Sequence, residues 1–214
     1  MDVAFLLYDR MTPLDLVGPY QVFGVVPKVR THLVATEAGP VRTDLGMRIH
    51  ADKRLEDMPR ADIVVVPGSV DPSKVMADER VLSWLRAVDA TSRWTTSVCT
   101  GSLILGAAGL LQGKRATTHW SSMEALRGFG ATPVTPVEER VVFDGKTVVS
   151  AGVSAGIDMA LALVAKEFGA MMAQSVQLGI EYDPQPPFNS GSLRVASPEV
   201  LQETQGLLQA LQQA

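Results

Sequence analysis

Cysteine is almost absent from this sequence, and Cys99 is its only representative. No internal disulfide can form. The N-terminus carries no signal-peptide pattern, because Asp2 comes early and the strand-like run 3–8 stops at Asp9-Arg10. A reducing cytoplasm is the expected compartment. Apolar runs fall well short of the roughly 18 residues that a membrane span requires, so no membrane partner is expected. Lysine and arginine form no cluster and the formal charge is −4. That removes the attraction to phosphate backbones that supplies most nucleic-acid affinity, and excludes nucleic acid as an expected partner. The three histidines are dispersed, at 32, 50 and 119, and make no metal-ligand spacing with one cysteine. Neither G-x-G-x-x-G nor G-x-x-x-x-G-K-[ST] occurs, so no cofactor is expected.

With 46% hydrophobic and 20% charged positions, the 214 residues suit one domain spanning 1–214. Apolar β-like runs at 3–8, 32–36, 62–66, 94–98 and 147–150 alternate with segments of helical period at 14–24, 78–89, 101–110, 121–128, 154–168 and 197–213. This alternation predicts an α/β fold with a mostly parallel central sheet and helices on both faces. Ile63-Val64-Val65-Val66 lacks polar alternation, as a central strand buried on both faces requires, and Pro67-Gly68 stops it. Two hairpins are expected: 41–50, turning near Asp44-Leu45-Gly46 at the sheet edge, and 140–149, turning at Asp144-Gly145. The stretch 182–192 holds three prolines and must be an extended loop leading to the last helix.

Cys99-Thr100 falls between the strand-like Trp94-Thr95-Thr96-Ser97-Val98 and the helix-like run from Gly101. A tight strand-to-helix turn of this kind is a nucleophile elbow: it lifts the side chain above the carboxyl edge of the sheet and aims helix N-terminal amides at it. Those amides favour a thiolate. The backbone N–H of Thr100 is one candidate oxyanion donor. Gly68 supplies a second if the Pro67-Gly68 turn lies on the neighbouring strand. An inert buried thiol is the competing reading.

A reactive thiol needs a proton-transfer partner. His32 starts a strand and His50 sits in the edge hairpin, which suits structural or exposed roles. His119 follows a strand, 115–118, aimed at the same sheet end, but a histidine held by local hydrogen bonds explains it equally well. Asp15 has two readings. Thr12 at N-cap, Pro13 at N1 and Asp15 at N3 spell a capping box. The same turn also opens at the carboxyl edge, where a carboxyl can face the thiol and share one proton with it. Gly152-Val153-Ser154-Ala155-Gly156 matches G-x-S-x-G, yet no histidine follows Ser154, so Ser154 is expected to be a helix N-cap. The methionines, Met171-Met172 included, are expected to fill core.

Five blocks carry a resemblance over nearly the whole sequence: 13–23 (PLDLVGPYQVF), Val98-Cys99-Thr100-Gly101-Ser102, 115–120 (RATTHW), 152–158 (GVSAGID) and 182–188 (YDPQPPF). They resemble the DJ-1/PfpI superfamily, with its flavodoxin-like fold, and within it the isocyanide (isonitrile) hydratases. The same blocks occur in the sensor half of certain AraC-type regulators, which continue into a DNA-binding domain where this sequence ends at Ala214. The resemblance implies Asp15 as the acidic residue after the first strand, Cys99 as nucleophile and Thr100 as an assisting residue. Peptidases of the superfamily have histidine where Thr100 stands, which counts against peptidase activity. Gly68, Gly152 and His119 become the expected substrate and oxyanion contacts, with no catalytic role carried to His119. The implied reaction converts R–N≡C and water to the formamide R–NH–CHO through a Cys99 thioimidate, with Asp15 as acid and base and no cofactor. A homodimer is implied too. Glyoxalase-like or amidase-like cysteine chemistry and a non-enzymatic ligand sensor remain the alternatives.

Overall fold

A computed structural model describes residues 1–213; Ala214, the last residue of the expected domain, lies outside them. In chain order the elements are β1 (Asp2–Leu6), α1 (Pro13–Gly24), β2 (Arg30–Ala35), β3 (Gly39–Arg42), β4 (Arg48–Ala51), β5 (Lys53–Arg54), β6 (Ile63–Val66), α2 (Ser73–Met76), α3 (Glu79–Asp89), β7 (Trp94–Val98), α4 (Gly101–Ala107), β8 (Arg115–Ala116), α5 (Met123–Leu126), β9 (Thr135–Pro136), β10 (Val141–Asp144), β11 (Thr147–Ser150), α6 (Ala155–Phe168), α7 (Ala170–Gly179) and α8 (Pro198–Gln213).

One sheet, in the order β10-β11-β7-β6-β1-β2-β5, organises the chain. Every pairing in it is parallel except β10 with β11. The strand period of two divides β1 between two cores. Ala4 and Leu6 join Val64, Val66, Leu85, Ile104 and Leu105 on the face covered by α3 and α4. Val3 and Phe5 join Val65, Phe23, Met159 and Leu163 on the face covered by α1 and α6. Burying each large side chain contributes roughly 1.5–3 kcal/mol, so β6, buried on both faces, is the spine of the sheet. Its neighbours β1 and β7 run parallel to it, which sends the turns after all three to the same edge.

Both hairpins form, the first as a separate two-stranded sheet, β3 with β4, and the second as β10 with β11. Elsewhere the structure corrects the sequence reading. The strand expected at 115–118 shrinks to β8, which pairs with β9 outside the main sheet. The helix expected at 121–128 is a 3-10 turn, Trp120–Ser122, followed by the single α-turn α5. Gly169 does end α6, but the chain resumes at once as α7. That helix packs Met172, Ala173 and Val176 inward, so its neighbour Met171 points to solvent, 77% exposed, and fills no core. Ser154 occupies the N-cap of α6, yet its side chain caps nothing; its hydroxyl accepts from Arg140 Nη2 at 3.3 Å. Among the described residues no helix is long and apolar enough to cross a membrane.

Candidate active site

Cys99 is the junction between β7 and α4, and its φ of +57° places it in the left-handed region that non-glycine residues seldom occupy. The surroundings hold it there. Its N–H donates to Ser150 O and Ala151 O, both at 3.1 Å. Its carbonyl accepts from Thr118 Oγ1 at 3.0 Å and Ser102 Oγ at 3.2 Å. Strain over-determined by neighbours in this way marks functional turns.

The turn after β6 supplies the next layer. Gly68 N–H donates to Asp15 Oδ2 at 2.8 Å. Thr100 Oγ1 donates to Ser69 O at 2.6 Å and accepts from Ser69 N–H at 2.8 Å. A Cβ on Gly68 would lie 2.6 Å from both Thr100 N and Oγ1, and 3.0 Å from Asp15 Oδ2. Only glycine lets the three strand-end turns close this tightly. The N–H considered as an oxyanion donor is thus committed to the carboxyl of Asp15.

The capping box does not form. Thr12 makes no side-chain cap; its hydroxyl donates to Asp44 Oδ2 at 2.7 Å, while Asp15 turns inward, fully buried. Asp15 Oδ1 makes no well-formed hydrogen bond, although the Cys99 thiol lies close enough to favour the carboxylate as a donor. Burial raises the Asp15 carboxyl from 3.8 to about 7; the charge of Asp44 adds to the rise, and the Gly68 N–H and the thiol oppose it. Burial also pushes the Cys99 thiol far above its ordinary value, with the Asp15 charge adding. The N–H groups of Val153 and Thr100 and the Thr100 hydroxyl favour the thiolate, as expected of the elbow, but desolvation outweighs them. Two adjacent acids that both resist ionisation titrate as a pair.

His119 lies half-buried on the same cavity wall. Its Nδ1 sits 2.8 Å from Ser121 Oγ and accepts from Ser121 N–H at 3.4 Å, and burial lowers its basicity. Among the described residues it makes no hydrogen bond to Cys99 or Asp15. Gly152 gives the ring its place, since a Cβ there would sit 2.5 Å from His119 Cδ2. His32 is bonded to Asp2 Oδ1 at 2.7 Å, and His50 is exposed in the hairpin.

Above Cys99 lies a cavity of about 620 Å³. Thr12, Ser69, Val70, Thr100 and Val153 form its floor with Cys99, and Asp44 and Leu45 from the β3–β4 turn form one wall. His119, Trp120, Ser121 and Ser122 form another. The roof is α8, through Gln205, Leu208, Gln209, Leu211 and Gln212. Arg10 Nη2 donates to Leu211 O at 3.1 Å and fastens that helix. The sequence reading found neither Asp44, nor Val153, nor the roof; the spacing of Leu208 and Leu211 was the one local hint that α8 covers something apolar. Among the described residues no cluster of three or more His, Cys, Asp or Glu side chains converges as metal ligands do.

A parallel sheet flanked by helices, with a strained cysteine at the β7–α4 elbow and a buried carboxyl beside it, defines a class of α/β proteins built around a nucleophilic thiol. Residues 1–166 match the DJ-1/PfpI family, and the chain belongs to it. It is 45% identical to an isonitrile hydratase of Pseudomonas putida over 95% of this chain and 88% of that one. A transcriptional regulator of Pseudomonas aeruginosa, CdhR, is 34% identical over 82% of this chain and 53% of its own length. The crystal structure of a THiJ/PfpI family protein from Pseudomonas syringae superposes with a TM-score of 0.92, at 39% identity, over 98% of this chain and 86% of that one.

Proposed function

We propose that the chain is an isocyanide hydratase whose nucleophile is Cys99 and whose acid and base is Asp15, with no cofactor taking part. The observation that carries the reading is a fully buried Asp15 carboxyl against the Cys99 thiol, which itself lines the cavity, and 45% identity to an isonitrile hydratase supports it. The pair holds one proton. When it resides on Asp15 the sulfur is a thiolate and attacks the terminal carbon of R–N≡C, and Asp15 delivers its proton to that carbon, giving the thioimidate R–N=CH–S–Cys. Asp15, now a carboxylate, takes a proton from water as the water oxygen adds to the same carbon, and passes it to nitrogen. The C–S bond of R–NH–CH(OH)–S–Cys then breaks, the hydroxyl proton returns to the pair, and R–NH–CHO leaves. Thr100, fixed by Ser69, orients the sulfur with its N–H. Gly152 shapes the site by seating His119, and Gly68 acts through Asp15.

The experiment is to supply an alkyl or aryl isocyanide and follow formamide by infrared absorption, with Cys99→Ala in parallel. Turnover by the native protein alone is the expected result. No turnover by native protein whose Cys99 still reacts with a thiol reagent overturns the reading in favour of glyoxalase-like chemistry or ligand sensing.

The same reading makes the chain a homodimer in a reducing compartment. Met171 and Leu178 on α7, with Phe188 on the loop that follows, are exposed apolar side chains in one stretch of sequence, and a second copy would cover them. Light scattering at the mass of a monomer would refute this.

A further inference from the structure

The cavity above Cys99 has a one-sided charge. Among the described residues Asp44 is the carboxylate in its wall, and no lysine or arginine lines it. His119 brings no compensating charge, because burial keeps its ring neutral. Arg10 does not line the cavity; its guanidinium donates to Leu211 O at 3.1 Å and its charge acts on Asp71. Asp44 itself is held in place rather than neutralised: Thr12 Oγ1 donates to Oδ2, its own N–H donates to Met11 O at 3.1 Å, and Oδ1 is buried without a partner. Among the described residues it forms no ion pair. A fixed charge in the wall of a cleft is screened less than one on an open surface.

We propose that this cavity selects uncharged and cationic ligands against anionic ones, and that Asp44 is the residue that sets the selection. In terms of the proposed reaction, on which the substrate statement rests, the R group of the isocyanide carries no negative charge. The cavity volume leaves room for an R group well beyond a methyl, and its mixed lining of leucine and glutamine suits one that is apolar with a few hydrogen-bonding atoms.

Because Cys99 is the only cysteine, charged thiol reagents read the field at its sulfur without any assumption about substrate. The sulfur displaces methanesulfinate from a methanethiosulfonate and forms a mixed disulfide. The full-length protein is treated at low ionic strength with the trimethylammonioethyl and the sulfonatoethyl reagents, each rate being divided by that of a small free thiol. The native protein is expected to favour the cationic reagent. Asp44→Asn, whose side-chain carbonyl still accepts from Thr12, should cut that preference by roughly five- to tenfold, the size of effect that one unit charge acting over about 10 Å at an effective dielectric between protein and water has on a pair of oppositely charged reagents. Gln209→Glu, a change on the exposed helix α8, should increase it and serves if Asp44→Asn does not fold. An unchanged ratio in Asp44→Asn, or a native protein that favours the anionic reagent, overturns the proposal.

A parallel assay compares 4-isocyanobenzamide with 4-isocyanobenzoate; kcat/KM should fall at least severalfold for the benzoate in the native protein and recover in Asp44→Asn. Equal kcat/KM values overturn the substrate statement. If neither compound is turned over, the hydratase reading fails, and the reagent ratio still decides whether Asp44 sets the charge selection.

Discussion

Thr100 and Ser69 grip each other in both directions: one hydroxyl donates to the Ser69 carbonyl at 2.6 Å and accepts its amide at 2.8 Å. The elbow after β7 is thereby locked to the turn after β6, and the sulfur next door inherits that rigidity. Thr100→Val keeps the shape and removes both bonds, leaving a buried N–H and a buried carbonyl unpaired at about 1–3 kcal/mol each. Denaturant unfolding should show that loss together with reduced turnover, and Thr100→Ser should restore most of both.

Asp15 makes the protein's stability depend on pH in an unusual sense for an aspartate. Its carboxyl is raised to about 7 in the folded state from 3.8, so the folded chain binds the proton more tightly than the unfolded one. Its contribution is therefore most favourable below about 3.8, declines as pH rises toward 7, and is flat above. Asp15→Asn retains an acceptor for the Gly68 N–H and cannot ionise. At pH 8 the variant should melt higher than the native protein, by roughly 2–4 °C for each kcal/mol of charge burial relieved. The gap should close toward pH 4, and calorimetry at the two pH values checks it.

The thiol gives the complementary readout. Burial and the Asp15 charge hold Cys99 protonated well into the alkaline range, so alkylation by iodoacetamide at pH 8 should run slower than for a free cysteine. In Asp15→Asn the opposing charge is gone, the thiol pKa falls, and the rate curve should move to lower pH. A curve that stays in place would separate the two groups.

Gly68→Ala should be far more damaging than its size suggests. The added methyl meets a backbone nitrogen at 2.6 Å, which cannot yield as a side-chain tip would. The turn must shift and Asp15 with it. Misplacing a reacting group by about 1 Å costs on the order of 100-fold in rate, and steady-state kinetics with an intact far-ultraviolet dichroism spectrum would show that loss.

Among the described residues helix α8 contributes none to either core cluster, and it roofs the cavity. A chain ending before Ser197 should keep its cooperative unfolding and lose the roof. Cys99 should then react severalfold faster with a bulky maleimide than in the full chain. Equal rates would mean that the roof does not restrict entry.

The central sheet and the elbow were legible because each is written locally. An all-apolar run such as Ile63–Val66 and a strand meeting small residues at Cys99-Thr100 need no distant partner to be recognised. Asp15 was legible only as an ambiguity, since Thr12-Pro13-Leu14-Asp15 spells a capping box as well as it spells a turn that aims a carboxyl inward at the thiol. What decided between them was the N–H of Gly68, 53 positions away. Asp44 and the Val153 N–H were invisible for the same reason: each reaches the site through tertiary contacts that leave no local pattern. The last helix was legible from its period at 197–213, but its place over the cavity was not. Helix α7 was missed because Gly169 is a valid stop signal, and nothing in the stop says that a second helix begins on the next residue. The long strand expected at 115–118 failed because β8 finds its partner in β9, outside the sheet that the apolar pattern described.

The three tryptophans are disposed very differently. Trp84 is buried and donates to Met58 O at 2.8 Å, and Trp94 donates to Glu167 Oε1 at 2.7 Å. Trp120 stands in the cavity wall, its ring 5.2 Å from that of His119. The molecule thus carries its own optical probe at the cavity above Cys99, with two emitters elsewhere serving as an internal reference. Arrival of a ligand, and departure of a product, can be timed by light alone in the unlabelled protein.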